Sequence, residues 1–71
     1  MSREYVHLEV ERIWKVTEKA MLVSLVRFEG QHWIPKSQVS EEDMEENDYA
    51  EGDQDCSMCV TEWIAKQLGV D

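Results

Sequence analysis

Val6-His7-Leu8-Glu9-Val10-Glu11-Arg12-Ile13-Trp14-Lys15-Val16 is the stretch that decides the fold. Its even positions read Val, Leu, Val, Arg, Trp and Val, and its odd positions read His, Glu, Glu, Ile and Lys. Alternation with period two belongs to a half-buried β-strand, because successive side chains on a strand point to opposite faces. Arg12 interrupts the apolar parity, which marks a bulge or the strand's edge. Downstream, Thr17-Glu18-Lys19 gives a polar connection, and residues 20–28 carry apolar side chains on both parities, as in a central strand covered on both faces. A helix over residues 18–27 is the alternative, since Ala, Met and Leu favour helices. The valines and the turn residues Glu29-Gly30-Gln31 favour a hairpin into a strand at 32–34. Pro35 has no amide hydrogen to give to a ladder, so it ends that pairing or lies at an edge.

Beyond Pro35 the composition changes. Residues 40–55 hold nine of the sixteen acidic side chains, Glu41, Glu42, Asp43, Glu45, Glu46, Asp48, Glu51, Asp53 and Asp55, and no Lys or Arg. Residues 1–39 are close to neutral, so the net charge of −9 resides in this one segment. With only Met44, Tyr49 and Ala50 as apolar members, the segment has little to bury against its ordering entropy. The expectation is a long, mobile acidic loop with at most one helical turn after Ser40. A short strand at 56–60 follows, then Thr61 as N-cap of a helix Glu62–Leu68 stopped by Gly69. Trp63, Ile64, Ala65 and Leu68 are expected to dock this helix on the sheet.

The resulting fold class is mainly β (α+β): a small antiparallel sheet or partly open SH3/OB-like barrel of about four strands with a short C-terminal helix. The 71 residues make a single domain with the acidic loop at 40–55 inside it. So small a domain has little interior for a substrate pocket, which argues against an enzyme. The concentrated negative field repels nucleic acid and attracts basic protein surfaces, so no direct nucleic-acid binding is expected. Met1–Asp71 shows neither a signal peptide nor a long apolar span, and the expectation is a cytoplasmic protein with reduced thiols and no membrane contact.

Other motifs weigh less. An EF-hand centred on Gly52 would put Tyr49 at position three and Met58 at position twelve, where oxygen ligands belong, so no calcium site is expected. Cys56 and Cys59 form one C-x-x-C without a second ligand pair; His7 and His32 lie far away without ligand spacing. The thiols read best as small buried or half-buried hydrophobes, and neither metal nor cofactor is assigned. Trp14, Trp33 and Trp63 could stack bases, but they read better as core of a small domain.

Trp33-Ile34-Pro35-Lys36-Ser37-Gln38 and Thr61-Glu62-Trp63-Ile64-Ala65-Lys66, joined by an acidic connection, resemble a group of small proteins from bacteria, bacteriophages and mobile elements. There, a hairpin ends in Trp-x-Pro-Lys-Ser, an acidic loop follows, and a strand leads into a Trp-containing helix. The resemblance spans roughly residues 17–69 and departs at Cys56-Ser57-Met58-Cys59, where a more aliphatic strand is the pattern. It implies a genetic setting, that of host-takeover or anti-defence factors including CRISPR inhibitors, and no particular chemistry.

Two functional readings follow. In the first, the chain is a non-enzymatic inhibitor or regulator whose acidic residues imitate a phosphate backbone and bind a basic, nucleic-acid-handling protein. Duplex DNA carries one charge per about 1.7 Å; the segment would carry one per about 6 Å extended or about 3 Å helical. The nine carboxylates supply the contacts, with Tyr49 or Met44 as an apolar anchor. In the second, the chain is an accessory interaction module and the acidic run only solubilises it.

Overall fold

The computed structural model describes residues 4–70. Four strands, β1 (Tyr5–Val16), β2 (Ala20–Leu25), β3 (Gln31–Pro35) and β4 (Gln54–Thr61), form one antiparallel sheet in the order β3-β2-β1-β4. Helix α1 (Glu41–Glu46) precedes β4, and helix α2 (Glu62–Leu68) follows it. The fold is mainly β and the sheet is open, with β3 and β4 as its two edges.

β1 organises everything else because it is long enough to serve two partners. Its first half pairs with β4, from Tyr5↔Thr61 to Arg12↔Gln54, and its second half pairs with β2, from Val10↔Leu25 to Val16↔Met21. The register with β2 shifts twice, between Val10 and Arg12 and between Ile13 and Lys15. Each extra residue reverses which parity faces the core. Val6, Leu8 and Val10 point inward, then Ile13, then Val16, so Ile13 is fully buried although strict alternation places it outside. Arg12 does mark a bulge, as expected.

β2 pairs on both sides, which excludes a helix over residues 18–27. It stops at Leu25, earlier than expected, because the chain turns at once: the Phe28 N–H donates to the Leu25 carbonyl and Arg27 takes a positive φ of 75°. β3 is the outer strand of the meander, and Pro35, paired to Ala20, closes it at the edge where no ladder donor is lost. Val10, Ile13, Met21, Val23, Ile34, Met58 and Val60 fill the core on one face of the sheet.

α2 closes that core with Ile64 and Ala65. Its termini are as the sequence predicts. The Thr61 hydroxyl accepts the Ile64 N–H at 3.4 Å, and Gly69, at φ 79°, donates its N–H to the Ala65 and Lys66 carbonyls. The tryptophans are not core. Trp14, Trp33 and Trp63 keep 42, 49 and 60% of their surface exposed. Trp14 is turned out by the bulge that turns Ile13 in, Trp33 alternates against buried Ile34, and Trp63 lies off the α2 stripe made by Ile64, Ala65 and Leu68.

Candidate functional site

The acidic segment is neither an unanchored loop nor a single regular element. Ser40 caps α1: its hydroxyl accepts the Asp43 N–H at 3.3 Å and donates to the Asp43 carboxylate at 2.8 Å. The hydroxyl thus serves as the N-cap acceptor while the Asp43 carboxylate orients it; the Ser40 backbone N–H goes elsewhere, to the Cys59 carbonyl. The helix covers Glu41–Glu46 and ends where Asn47 turns extended, its backbone and side-chain N–H groups both donating to the Asp43 carbonyl. Residues 47–53 then run back to the sheet, and Gln54 and Asp55, assigned to the loop by composition, already belong to β4. Gln54 pairs with Arg12 of β1, and Asp55, at a positive φ of 52°, is the irregular residue between that pair and Val10↔Cys56.

The segment lies along the outer edge of β4 and satisfies it. An edge strand presents unpaired N–H and C=O groups that other chains can join. Here Ser40 donates its N–H to the Cys59 carbonyl at 2.8 Å, the Asp43 carboxylate accepts the Cys59 N–H at 2.7 Å, and the Tyr49 hydroxyl donates to the Ser57 carbonyl at 2.9 Å. Val39 adds an isolated bridge to Val60. Met44 and Tyr49, both half-buried, pack against the core beneath these hooks.

The hooks change the chemistry of the groups that make them. The backbone hydrogen bond from Cys59 holds the Asp43 carboxyl below its ordinary range, because it favours the charged form over the cost of partial burial. Burial pushes Tyr49 up to about 12, with the Asp43 charge adding to the effect. Cys59 and Cys56 are both raised as well, first by burial and then by neighbouring carboxylates, Asp43 for Cys59 and Asp53 for Cys56. Thiols so placed stay protonated and weakly nucleophilic. They sit on opposite faces of β4, Cys56 across from inward Val10 and Cys59 across from His7.

The nine carboxylates therefore divide into two groups. Asp43, Glu51 and Asp53 bond to the chain itself: Glu51 accepts the Val16 N–H at 3.2 Å, and Asp53 accepts the Ala50 N–H at 2.9 Å in the turn that carries Gly52 at φ 91°. Glu41, Glu42, Glu45, Glu46, Asp48 and Asp55 are exposed. On α1 the first four make two i, i+4 columns, Glu41 with Glu45 and Glu42 with Glu46, on adjacent sides of the helix. Among the described residues no group of three or more His, Cys, Asp or Glu side chains is placed to hold a metal ion.

The aromatic side chains do not form one platform either. The Trp14 ring lies under the Arg12 guanidinium, 4.6 Å from Cζ to the ring centroid, and its Nε1 donates to the Ser24 hydroxyl at 3.1 Å. Trp33 stands across from Leu22 on the edge strand, and Trp63 is on α2. No helix among the described residues is long and apolar enough to cross a membrane. Compared with known proteins, the chain matches no family model, no curated protein and no solved structure.

Proposed function

We propose that this protein is a non-enzymatic inhibitor or regulator that lays its acidic cover on the basic surface of a nucleic-acid-handling protein. The observation that carries this reading is the one-sided display on α1. Four exposed carboxylates, Glu41, Glu42, Glu45 and Glu46, stand on six helical residues, about one charge per 2 Å of axis at the helical rise. That density approaches the one charge per about 1.7 Å of duplex DNA. Because Ser40, Asp43 and Tyr49 fasten the segment to β4, the display is ordered before binding and the partner has less entropy to overcome. The resemblance to small phage and mobile-element proteins directs the same reading toward anti-defence inhibitors.

Changing Glu41, Glu42, Glu45 and Glu46 together to Gln tests the proposal in a pull-down from host lysate at two salt concentrations. Capture of a basic, nucleic-acid-binding complex by the wild type at low salt, lost at high salt and lost in the variant, is the expected result. Capture that survives the substitutions rejects it.

A second reading rests on the hooks themselves. As a cover for β4, the segment blocks edge-to-edge association, and its charge serves solubility. Under this reading the fourfold variant still folds but self-associates, and partner capture is unaffected.

A further inference from the structure

Where the acidic cover meets the start of β1 and the start of α2, the surface carries two neighbouring hollows. One hollow, of about 640 Å³, is bordered by Tyr5, Val39, Glu41 and Glu42. The other, of about 410 Å³, is bordered by Trp63, Glu62, Gln38 and Glu4. Pairing ties their borders together: Tyr5, on the first, is the register partner of Thr61, on the second, and the Thr61 hydroxyl donates to the Gln38 side-chain carbonyl. Tyr5 is 44% exposed and Trp63, at 60%, is the most exposed of the large hydrophobic residues described. No Lys or Arg among the described residues borders either hollow.

We propose that this double hollow is the docking groove for an arginine-bearing segment of the basic partner. The inference rests on the functional reading above and locates its contact. A guanidinium is flat, weakly hydrated, and able both to lie on an aromatic face and to fork onto a carboxylate. The two hollows offer both kinds of surface: in the first, the Tyr5 ring beside the exposed carboxylates of Glu41 and Glu42 at the start of α1, and in the second, the Trp63 ring. Glu62 is held along α2 by its ion pair with Lys66 at 3.1 Å, and the largely exposed Trp63 beside it borders the second hollow. An ammonium group gains the carboxylate attraction but stacks less well. Arginine should therefore be selected over lysine at equal charge.

The probes are two capped, fluorescein-labelled peptides, one of alternating Arg and Gly and one of alternating Lys and Gly, read by anisotropy at low salt. The Arg peptide should bind about fivefold more tightly than the Lys peptide, as expected of a stacked cation. Tyr5→Leu and Trp63→Leu keep apolar bulk without a π face, and each should remove most of that preference while leaving Lys-peptide binding unchanged. Glu41→Gln with Glu42→Gln should weaken both peptides, whereas Glu46→Gln with Asp48→Asn, outside the groove, should change either by less than twofold. Circular dichroism of each variant verifies that the exposed substitutions leave the fold intact. Equal affinity for the two peptides, or an Arg preference that survives both Leu variants, overturns the groove. Losses as large from Glu46 and Asp48 as from Glu41 and Glu42 also overturn it and leave the broader acidic surface standing. Failure of the wild type to bind either peptide overturns both.

Discussion

The two edges of the sheet are managed in opposite ways. β4 is covered along residues 57–60 by a segment that answers its outward backbone groups with a serine amide, an aspartate carboxylate and a tyrosine hydroxyl. Among the described residues β3 has β2 as its one sheet neighbour, and what guards it is its length of five residues and its end at Pro35. Shortness and proline are local devices that a strand carries in its own sequence, while a cover requires another part of the chain to reach it. The difference teaches that the most charged stretch of this protein is also part of its architecture.

The largest effect should come from Asp43→Ala, which strands the Cys59 N–H and removes the acceptor of the Ser40 hydroxyl. A hydrogen bond to a charged group is worth about 2 kcal/mol, so thermal unfolding followed by circular dichroism should shift down by about 10 °C in a domain of this size. The same carboxylate sets an acid limit. Its folded value is lowered, so its contribution is present above the unfolded range near pH 4 and is lost as pH falls through the folded value. Asp43→Asn should flatten that acid-side slope, and an unchanged slope would show that other carboxylates dominate it.

Tyr49→Phe should come next, at about 1 kcal/mol, since it keeps the ring on the core and removes only the bond to the Ser57 carbonyl. In the wild type, absorbance near 295 nm should show Tyr49 ionising at about pH 12. With a raised folded value, its contribution holds below the ordinary tyrosine range and disappears as pH rises through the folded one. Smaller still is the effect of Glu45→Gln with Glu46→Gln. These remove like-charge i, i+4 repulsion at the helix end that disfavours anions, so stability should rise by a few tenths of a kcal/mol. Trp33→Lys on the uncovered edge should be nearly neutral, within about 0.5 kcal/mol. A large loss there would mean that the β3 edge has a cover of its own.

The strands and α2 were legible because periodicity and capping are short-range signals: Val6, Leu8 and Val10 alternate, and Thr61 and Gly69 bracket a helix. Where a bulge adds a residue, the same alternation misleads, which is how Ile13 and Trp14 came to exchange faces. Trp63 was readable in principle. At 100° per residue it points well away from the direction shared by Ile64, Ala65 and Leu68, and aromatic bulk outweighed that geometry. The hooks of Asp43 and Tyr49 left no such trace. A carboxylate that bonds a backbone amide sixteen residues away has no period, and its neighbours Glu42 and Glu45 look the same in sequence.

The order of the sheet also bears on how quickly it can form. β1, β2 and β3 meet through short turns, but the first half of β1 must wait for β4, with Tyr5 and Thr61 joined only across all the residues between them. Such distant pairing slows folding, because closure entropy is lost before contacts return it. The loop that has to close contains every one of the nine clustered carboxylates, which repel one another as it contracts. Folding should therefore quicken with added salt, an unusual dependence for a domain held together chiefly by apolar side chains, and stopped-flow refolding across a salt series would display it.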